Sequence, residues 1–583
     1  MRQRVVHWFL GGALLAAPGC YSGFDAEANS GGPGGSAGTD SAGDGSGGDG
    51  SDSDSNDSDD PGGPSGAELP APAARVARLT HTQWENTVQD LLYLDAPTGF
   101  SDAFRADPTN SGYLFDNSAA ALEVDQALWS GYQRAAVDTA QLAVTTPAVL
   151  DAILPVDGGD DAARADAFVR DFGLRAFRRP LEDAEVSIYT GLFDGAAEFF
   201  DDSEGFDAGV RLVIETMLQS PHFIYRIERS TEIADDVIAL DDYEVAQRLS
   251  YFVLNSMPDD ELFDVAAEGT LRQSDVLEDQ ARRLLADPRA KEVVESFHDA
   301  IFDTESILGA APLPAVYPDA PENIGELAYD EFHTFIERTM VDEKGGVHEL
   351  FNSSVTYANA DLAALYGVQG VSGEEFQRIE LDPAERRGVL TQIGFLAANA
   401  TGAQPDPIHR GAFISERITC SELPPPPDDI PPIPSVEGMT NREAIEELTE
   451  QPGSNCAGCH SVFINPLGFP FENYDSTGAL RVDDGGLPLD TASTVILDNE
   501  SHEISGAIDL ADLLAASPSV HACYVKHWVE YASGRPEAEE DHALVERLAA
   551  ASLDANASME DTLVEIIKST PFTYRSATEL AAE

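Results

Sequence analysis

From Arg75 to the C-terminus, apolar residues recur at helical spacing in short stripes, and prolines cut the stripes apart. This pairing of period and punctuation constrains the fold more than any other feature. A chain so patterned buries its stripes by packing many short helices on one another, not by forming a wide sheet. The first stripe shows the logic: Trp84, Val88, Leu91 and Leu92 share one helical face, with Thr80 or Thr82 as N-cap. A second helix is expected from Ala119 to Val144. Pro180 should stop the next at Arg179, and Asp183 or a nearby acid opens another. Further helices are expected over Val210 to Leu218, Tyr243 to Leu254, Val276 to Leu285 and Lys291 to Phe302. More follow over Ile324 to Val341, from Asn359 or Asp361 to Tyr366, Leu390 to Ala398, Ala412 to Ile418 and Asn441 to Glu450. The run from Pro405 to Gly411 reads as a turn. Leu487 to Leu497 and His502 to Ile508 alternate enough for a small hairpin, after which helices resume at Leu510, Val520 and Met559.

The fold class expected is therefore mainly α: a multi-domain helical body with one small β-hairpin late in the chain and a disordered N-terminal tether. Its parts are read as an export signal over 1–20, a linker over 21–72, and helical domains over 73–150, 160–200, 205–305 and 322–482. A hairpin and a last helical domain fill 483–583.

The tether follows from composition. From Ser30 to Gly66 the chain is almost wholly Gly, Ser, Asp and Pro, which cannot bury enough apolar surface to offset the entropy of ordering. Before it, Arg2 and Arg4 precede an apolar run too short to span a bilayer but fit for a signal-peptide core. The run ends at Cys20, placed as a lipidation site would be. The expectation is an exported bacterial lipoprotein at the outer membrane, periplasm or cell surface, held to membrane by its lipid anchor. The 583 residues carry a net charge of −70. No basic stripe offsets that field, so nucleic acid is excluded as a partner.

One pentapeptide names its own chemistry. Cys456-Ala457-Gly458-Cys459-His460 has the C-x-x-C-H spacing of a covalent haem c attachment site. Cys456 and Cys459 would bond the porphyrin, and His460 would be the proximal iron ligand. The distal ligand is open: Met439 and His409 are the candidates, with His502, His521, His527 and Met559 behind them. Phe463 to Glu472 would wrap the haem edge with apolar side chains. Three other readings stand beside haem: a dithiol redox pair, a zinc site completed by Cys420 and Cys523, and a local disulfide. Cys420 and Cys523 are also candidates for a disulfide with each other, clamping the prolines of 424–434 against the C-terminal helices. Glu472 and Asp475, near the motif, read as solvated or helix-terminus acids.

Two further features need partners the sequence does not name. Arg170, Arg175, Arg178 and Arg179 cluster in an acidic chain, where internal ion pairing is the expectation. Ser220-Pro221-His222-Phe223-Ile224-Tyr225-Arg226 is echoed by Ser569-Thr570-Pro571-Phe572-Thr573-Tyr574-Arg575, a repeated helix-stop.

Several of these marks resemble, in order, a multi-domain planctomycete and myxobacterial family of unknown function. They are Arg78-Leu79-Thr80 with Asp90-Leu91-Leu92, Arg175 to Leu181, Arg248 to Phe252 with Pro258 to Leu262, His409-Arg410-Gly411 with the pentapeptide and Pro466 to Phe469, and Tyr531 to Arg535. That family strings domains of unknown function 1587, 1595, 1592, 1588 and 1585 in series. The resemblance implies an exported protein with a cytochrome-like C-x-x-C-H and carries over no reaction. Function is thus expected to be electron transfer to a redox partner protein. The alternatives are an oxidase or peroxidase-like haem enzyme with an open iron, and a haem-free scaffold stapled by disulfides or zinc.

Overall fold

Local chemistry sets where each helix begins. In the computed structural model, which describes residues 68–108, 112–154, 160–200, 205–425 and 438–578, Thr80 caps the helix His81–Leu91. Its side chain accepts from Gln83 N–H, and the Gln83 side chain reaches back to Thr80 N–H, so two orphan donors are answered at once. The Asp241–Glu244 pair does the same for Asp242–Leu254. Prolines sit at the first turn of Pro221–Ile224, Pro288–Phe302 and Pro518–Ser533, where no donor is lost.

The body is mainly α, with antiparallel ribbons of two or three strands between the helices. The described residues belong to one unit, Pro61–Glu583. The expected signal, Cys20 and the tether up to residue 67 lie outside the described residues, as do residues 426–437 of the proline-rich stretch. The last linker residues run along the body: Glu68 pairs with Arg547 at 2.6 Å, and Pro70 and Ala71 are buried.

Several element bounds differ from expectation, each for a local reason. The second helix is Gln126–Thr145, because Asp125 caps it by accepting from Leu128 N–H. The helix Asp161–Phe177 stops two residues before Arg179, where Arg178 takes a left-handed conformation (φ 57°). Thr440, not Asn441, caps Asn441–Thr449 through a box with Glu443. The expected turn at Pro405–Gly411 is already helix from Pro407, capped by Asp406. Asp260–Ala267 and His542–Asp554 are helices beyond those expected.

Three-residue strands bind the chain's ends to its middle. Val76–Arg78 pairs with Tyr225–Ile227, and Tyr574–Ser576 pairs with Val237–Ala239. One strand of each pair, Tyr225–Ile227 and Tyr574–Ser576, closes a copy of the echoed motif. Each copy is a short helix followed by a strand, and each is held by an arginine from elsewhere. Arg178 Nη2 donates to the carbonyls of His222, Phe223 and Tyr225. Arg248 Nη1 donates to the equivalent carbonyls of Pro571, Phe572 and Tyr574. The late hairpin pairs Ser493–Leu497 with Glu500–Ile504 through Asp498 and Asn499, both at positive φ (53° and 61°), as a tight hairpin turn requires.

Two apolar cores result. One gathers Trp84, Tyr132, Phe168, Phe172 and Phe223. The other centres on Phe297, whose ring stacks on Trp528 at 3.4 Å, with Leu249, Phe335 and Leu510 around them. The helix Asp242–Leu254 serves both: Tyr251 belongs to the first, Leu249 and Phe252 to the second. That explains why most of its circumference is buried.

Candidate functional site

The pentapeptide opens a broken helix. Cys459 N–H and His460 N–H both donate to Cys456 O, so Cys456, Cys459 and His460 stand at i, i+3 and i+4 on one face. Ala457–Cys459 is α-helical, His460–Ile464 is a π-helical turn, and Asn465–Gly468 returns to α. In the π turn the i→i+5 bond runs from Asn465 N–H to His460 O. The wider turn brings residues five apart together, and Asn465 Oδ1 lies 3.0 Å from His460 Nδ1.

The network around Asn465 decides the imidazole tautomer. The Thr449 hydroxyl donates to Ile445 O at 2.7 Å, so its oxygen accepts from Asn465 Nδ2 at 3.0 Å. The same amide nitrogen donates to Glu450 Oε1 at 2.7 Å. Asn465, fully buried, is therefore fixed with Oδ1 toward the histidine. His460 Nδ1–H is then the donor to Asn465 Oδ1, and Nε2 is the nitrogen left for a ligand. Cys456 and Cys459 are free thiols, half-buried.

A neighbouring helix holds this turn by direct backbone contact. A Cβ on Gly411 would lie 1.9 Å from Ile464 O, and one on Gly468 would lie 1.8 Å from Pro407 O. Only glycine permits that approach. The same helix, Pro407–Phe413, carries His409, which is exposed. Its Nδ1 lies 2.7 Å from Asp406 Oδ2, and that hydrogen bond holds its pKa above the usual imidazole range. His409 and His460 thus share one arrangement, an oxygen acceptor at Nδ1 with Nε2 left over.

The remaining expected ligands stand differently. His521 is buried and engaged at both nitrogens, by Ser552 Oγ and Ala515 O. His527 sits beside Cys420 and Cys523, with Nδ1 toward Glu530. Met559 is buried among Leu285 and Met340. Met439 is half-buried beside the Thr440 cap. His502 Nε2, on the late hairpin, is buried without a hydrogen-bond partner. Cys420 and Cys523 form a disulfide, Cα–Cα 5.6 Å, so neither sulfur is a thiolate available to the pentapeptide.

The run expected to wrap the motif divides. Phe463 stays 44% exposed, whereas Ile464, Leu467, Phe469 and Phe471 are buried in the body. Glu472 is not the solvated acid expected. It is fully buried, pairs with Arg481 at 2.9 Å and accepts from Asn441 Nδ2, and burial pushes its pKa up against that pairing. Asp475 accepts from Thr477 and Ala479 and shapes a turn. The arginine cluster also divides. Arg170 and Arg179 make the expected ion pairs with Asp166 and Glu185. Arg175 and Arg178 do not: they bind backbone carbonyls, which a charge tally cannot reveal.

Five segments of the chain match, in order, descriptions of proteins of unknown function: residues 77–145 (DUF1587), 164–228 (DUF1595), 240–368 (DUF1592), 386–484 (DUF1588) and 500–572 (DUF1585). The pentapeptide and both histidines fall in the fourth. No curated protein and no solved structure matches the chain.

Proposed function

Since this chain belongs to the multi-domain family of unknown function in which these five domains stand in series, we propose its task from the site itself: it is an exported c-type haem protein that transfers electrons to a redox partner protein. The observation that carries this reading is the fixed tautomer of His460. A histidine after C-x-x-C binds iron through Nε2, and the Thr449–Asn465–His460 chain engages Nδ1 and so reserves Nε2 for that role. When bound, haem supplies a one-electron iron couple. Cys456 and Cys459 would anchor it covalently, and His460 would be its iron ligand. Asn465, backed by the Glu450 carboxylate, makes the imidazole a stronger donor. His409 is the group we assign to the opposite face, because it alone among the candidates repeats the His460 arrangement, on the helix that touches the motif. Iron held by both His460 and His409 would favour electron transfer, whereas an open position would favour oxidase or peroxidase chemistry. The surface placement of the motif gives a partner protein access to the haem edge. The Cys420–Cys523 bond supports an oxidising compartment, in keeping with a lipid-anchored exported protein.

The test is maturation in a host with a cytochrome c assembly system. A pyridine haemochrome band and a mass increase of one haem are expected, both lost in Cys456→Ala with Cys459→Ala. Colourless protein at apoprotein mass from such a host overturns the reading. Carbon monoxide should bind the reduced His409→Ala protein and not the parent.

A further inference from the structure

A second site lies away from the pentapeptide and owes nothing to haem. Residues from four of the five matched segments, the fourth excepted, surround a cavity of about 90 Å³. Arg75, Arg226, Arg248, Arg535 and Arg575 line it, in a chain whose acids outnumber its bases by 104 to 34. Two carboxylates, Glu228 and Asp541, face them. Asp541 is taken by Arg535 in a two-pronged pair at 2.6 and 2.9 Å. Glu228 is left to answer the other four. Its Oε1 accepts from Arg248 Nε at 2.6 Å, its Oε2 lies 3.6 Å from Arg575 Nε, and its backbone oxygen accepts from Arg75 Nε at 2.7 Å.

Arg226 makes no hydrogen bond to Glu228 and feels only its charge. Its Nε is buried without a hydrogen-bond partner, and its guanidinium lies over the Tyr251 ring, 5.4 Å from the centroid. Burial lowers its pKa against the pull of Tyr251 and Glu228, which raise it, and the nearby Arg248 and Arg178 lower it further. Arg575 Nε is likewise buried without a hydrogen-bond partner. Arg226 itself is half-buried, but a buried Nε–H with no acceptor carries a desolvation cost. The neighbouring open cavity of about 270 Å³ shows the contrast. There Arg178, Arg179 and Arg229 face Asp241 and Glu244, and Arg178 is further satisfied by Gln247 and three carbonyls.

We propose that the 90 Å³ cavity is a binding site for a small dianion of the sulfate, phosphate or short dicarboxylate class. A volume of about 90 Å³ has room for such an ion. Arg226 is its dedicated donor, and Arg575 Nε completes the fork. Because the cavity is built by four segments, the bound ion ties both ends of the chain to the middle helices.

Isothermal titration of the full-length protein tests this, with sodium phosphate, sulfate and succinate each replacing chloride at constant ionic strength. Saturable binding of at least one anion at one site is expected. Arg226→Met should weaken it at least about tenfold. Arg547→Met, which removes an arginine paired with Glu68 and Glu565, should bind as the parent does. Absence of saturable binding for all three anions overturns the site whether or not any variant folds. So does parent-like affinity in Arg226→Met.

Discussion

Glu331 should make this protein's stability fall as pH rises, against the habit of buried carboxylates in ion pairs. It sits on the helix Ile324–Phe335, 1% exposed. Oε1 accepts from Thr356 Oγ1 and Tyr366 OH, both at 2.6 Å, while Oε2 is buried without a partner. Gln392 Oε1, in the same network, is also buried and unpartnered. Protonating Oε2 supplies a donor where two acceptors stand unanswered. Burial raises the Glu331 pKa from 4.5 to about 7. The folded protein therefore keeps a proton that the unfolded chain has already lost between those values. The contribution is fully present below pH 4.5 and is lost as pH rises through about 7. At 1.36 kcal/mol per unit, the loss is about 3 kcal/mol.

The parent protein conceals this slope. His298 is fully buried between Val294 O and Tyr524 OH, and burial lowers its pKa from 6.5 to about 4. Its contribution has the opposite sign: present above 6.5, lost as pH falls through about 4. The two cancel across much of the interval they share. Glu331→Gln keeps the shape and the acceptor for Thr356 and Tyr366, adds a permanent donor and removes one slope. Urea unfolding of parent and variant, followed by the fluorescence of the buried Trp84 and Trp528, reads the difference. Between about pH 4.5 and pH 8 the variant should gain about 3 kcal/mol relative to the parent. A stability difference that does not change with pH would refute a protonated Glu331.

Three further outcomes follow from the same contacts. Reduction of Cys420–Cys523 opens a loop of sequence separation 103, and denaturant midpoints with and without reductant should differ by up to about 4.7 kcal/mol in the chain-entropy account. Gly411→Ala places a methyl 1.9 Å from Ile464 O, so it should cost more than about 4 kcal/mol by urea unfolding and lower the yield of haem attachment, with Gly458→Ala, which meets nothing within 4 Å, as the harmless comparison. Asn465→Val removes the acceptor at His460 Nδ1, and potentiometry of the matured protein should find a more positive midpoint, because the imidazole becomes a weaker donor; an unchanged midpoint would remove Asn465 from the account.

What the sequence could and could not show depended on the length of each signal. Stripes of ten or more residues, such as Val276 to Leu285, gave helices with the right core face, and the first start was narrowed to Thr80 or Thr82, of which Thr80 is the cap. Strands of three residues are too short for a period of two to register, so the pairings that tie the ends to the middle stayed invisible. The pentapeptide was legible because its spacing is itself the chemistry. Asn465 was not, since residues five apart do not meet on an α-helix and no residue type announces a π turn. One signal pointed at the anion site: the two echoed motifs both end in arginine, and those arginines, Arg226 and Arg575, line the same cavity.

The arginines also change what the net charge means. Among the described residues seven arginines are buried and no lysine is. Arg410 donates to the carbonyls of Leu396, Asn399 and Phe471, and Arg386 to those of Thr391 and Gly478. A planar, always charged fork can reach several carbonyls at once, which a lysine ammonium does not match. Cations withdrawn into the body leave a surface still more acidic than −70 over the whole chain suggests. Such a field turns small anions away nearly everywhere. An opening lined by five arginines is then distinguished by contrast as much as by affinity, and raising ionic strength should narrow that contrast by screening the surface more than the buried guanidinium. Anion association rates should therefore rise with salt at first, opposite to the fall expected if the cavity's own charge steered the approach from afar; stopped-flow titration across about 0.01 to 0.15 M chloride separates the two.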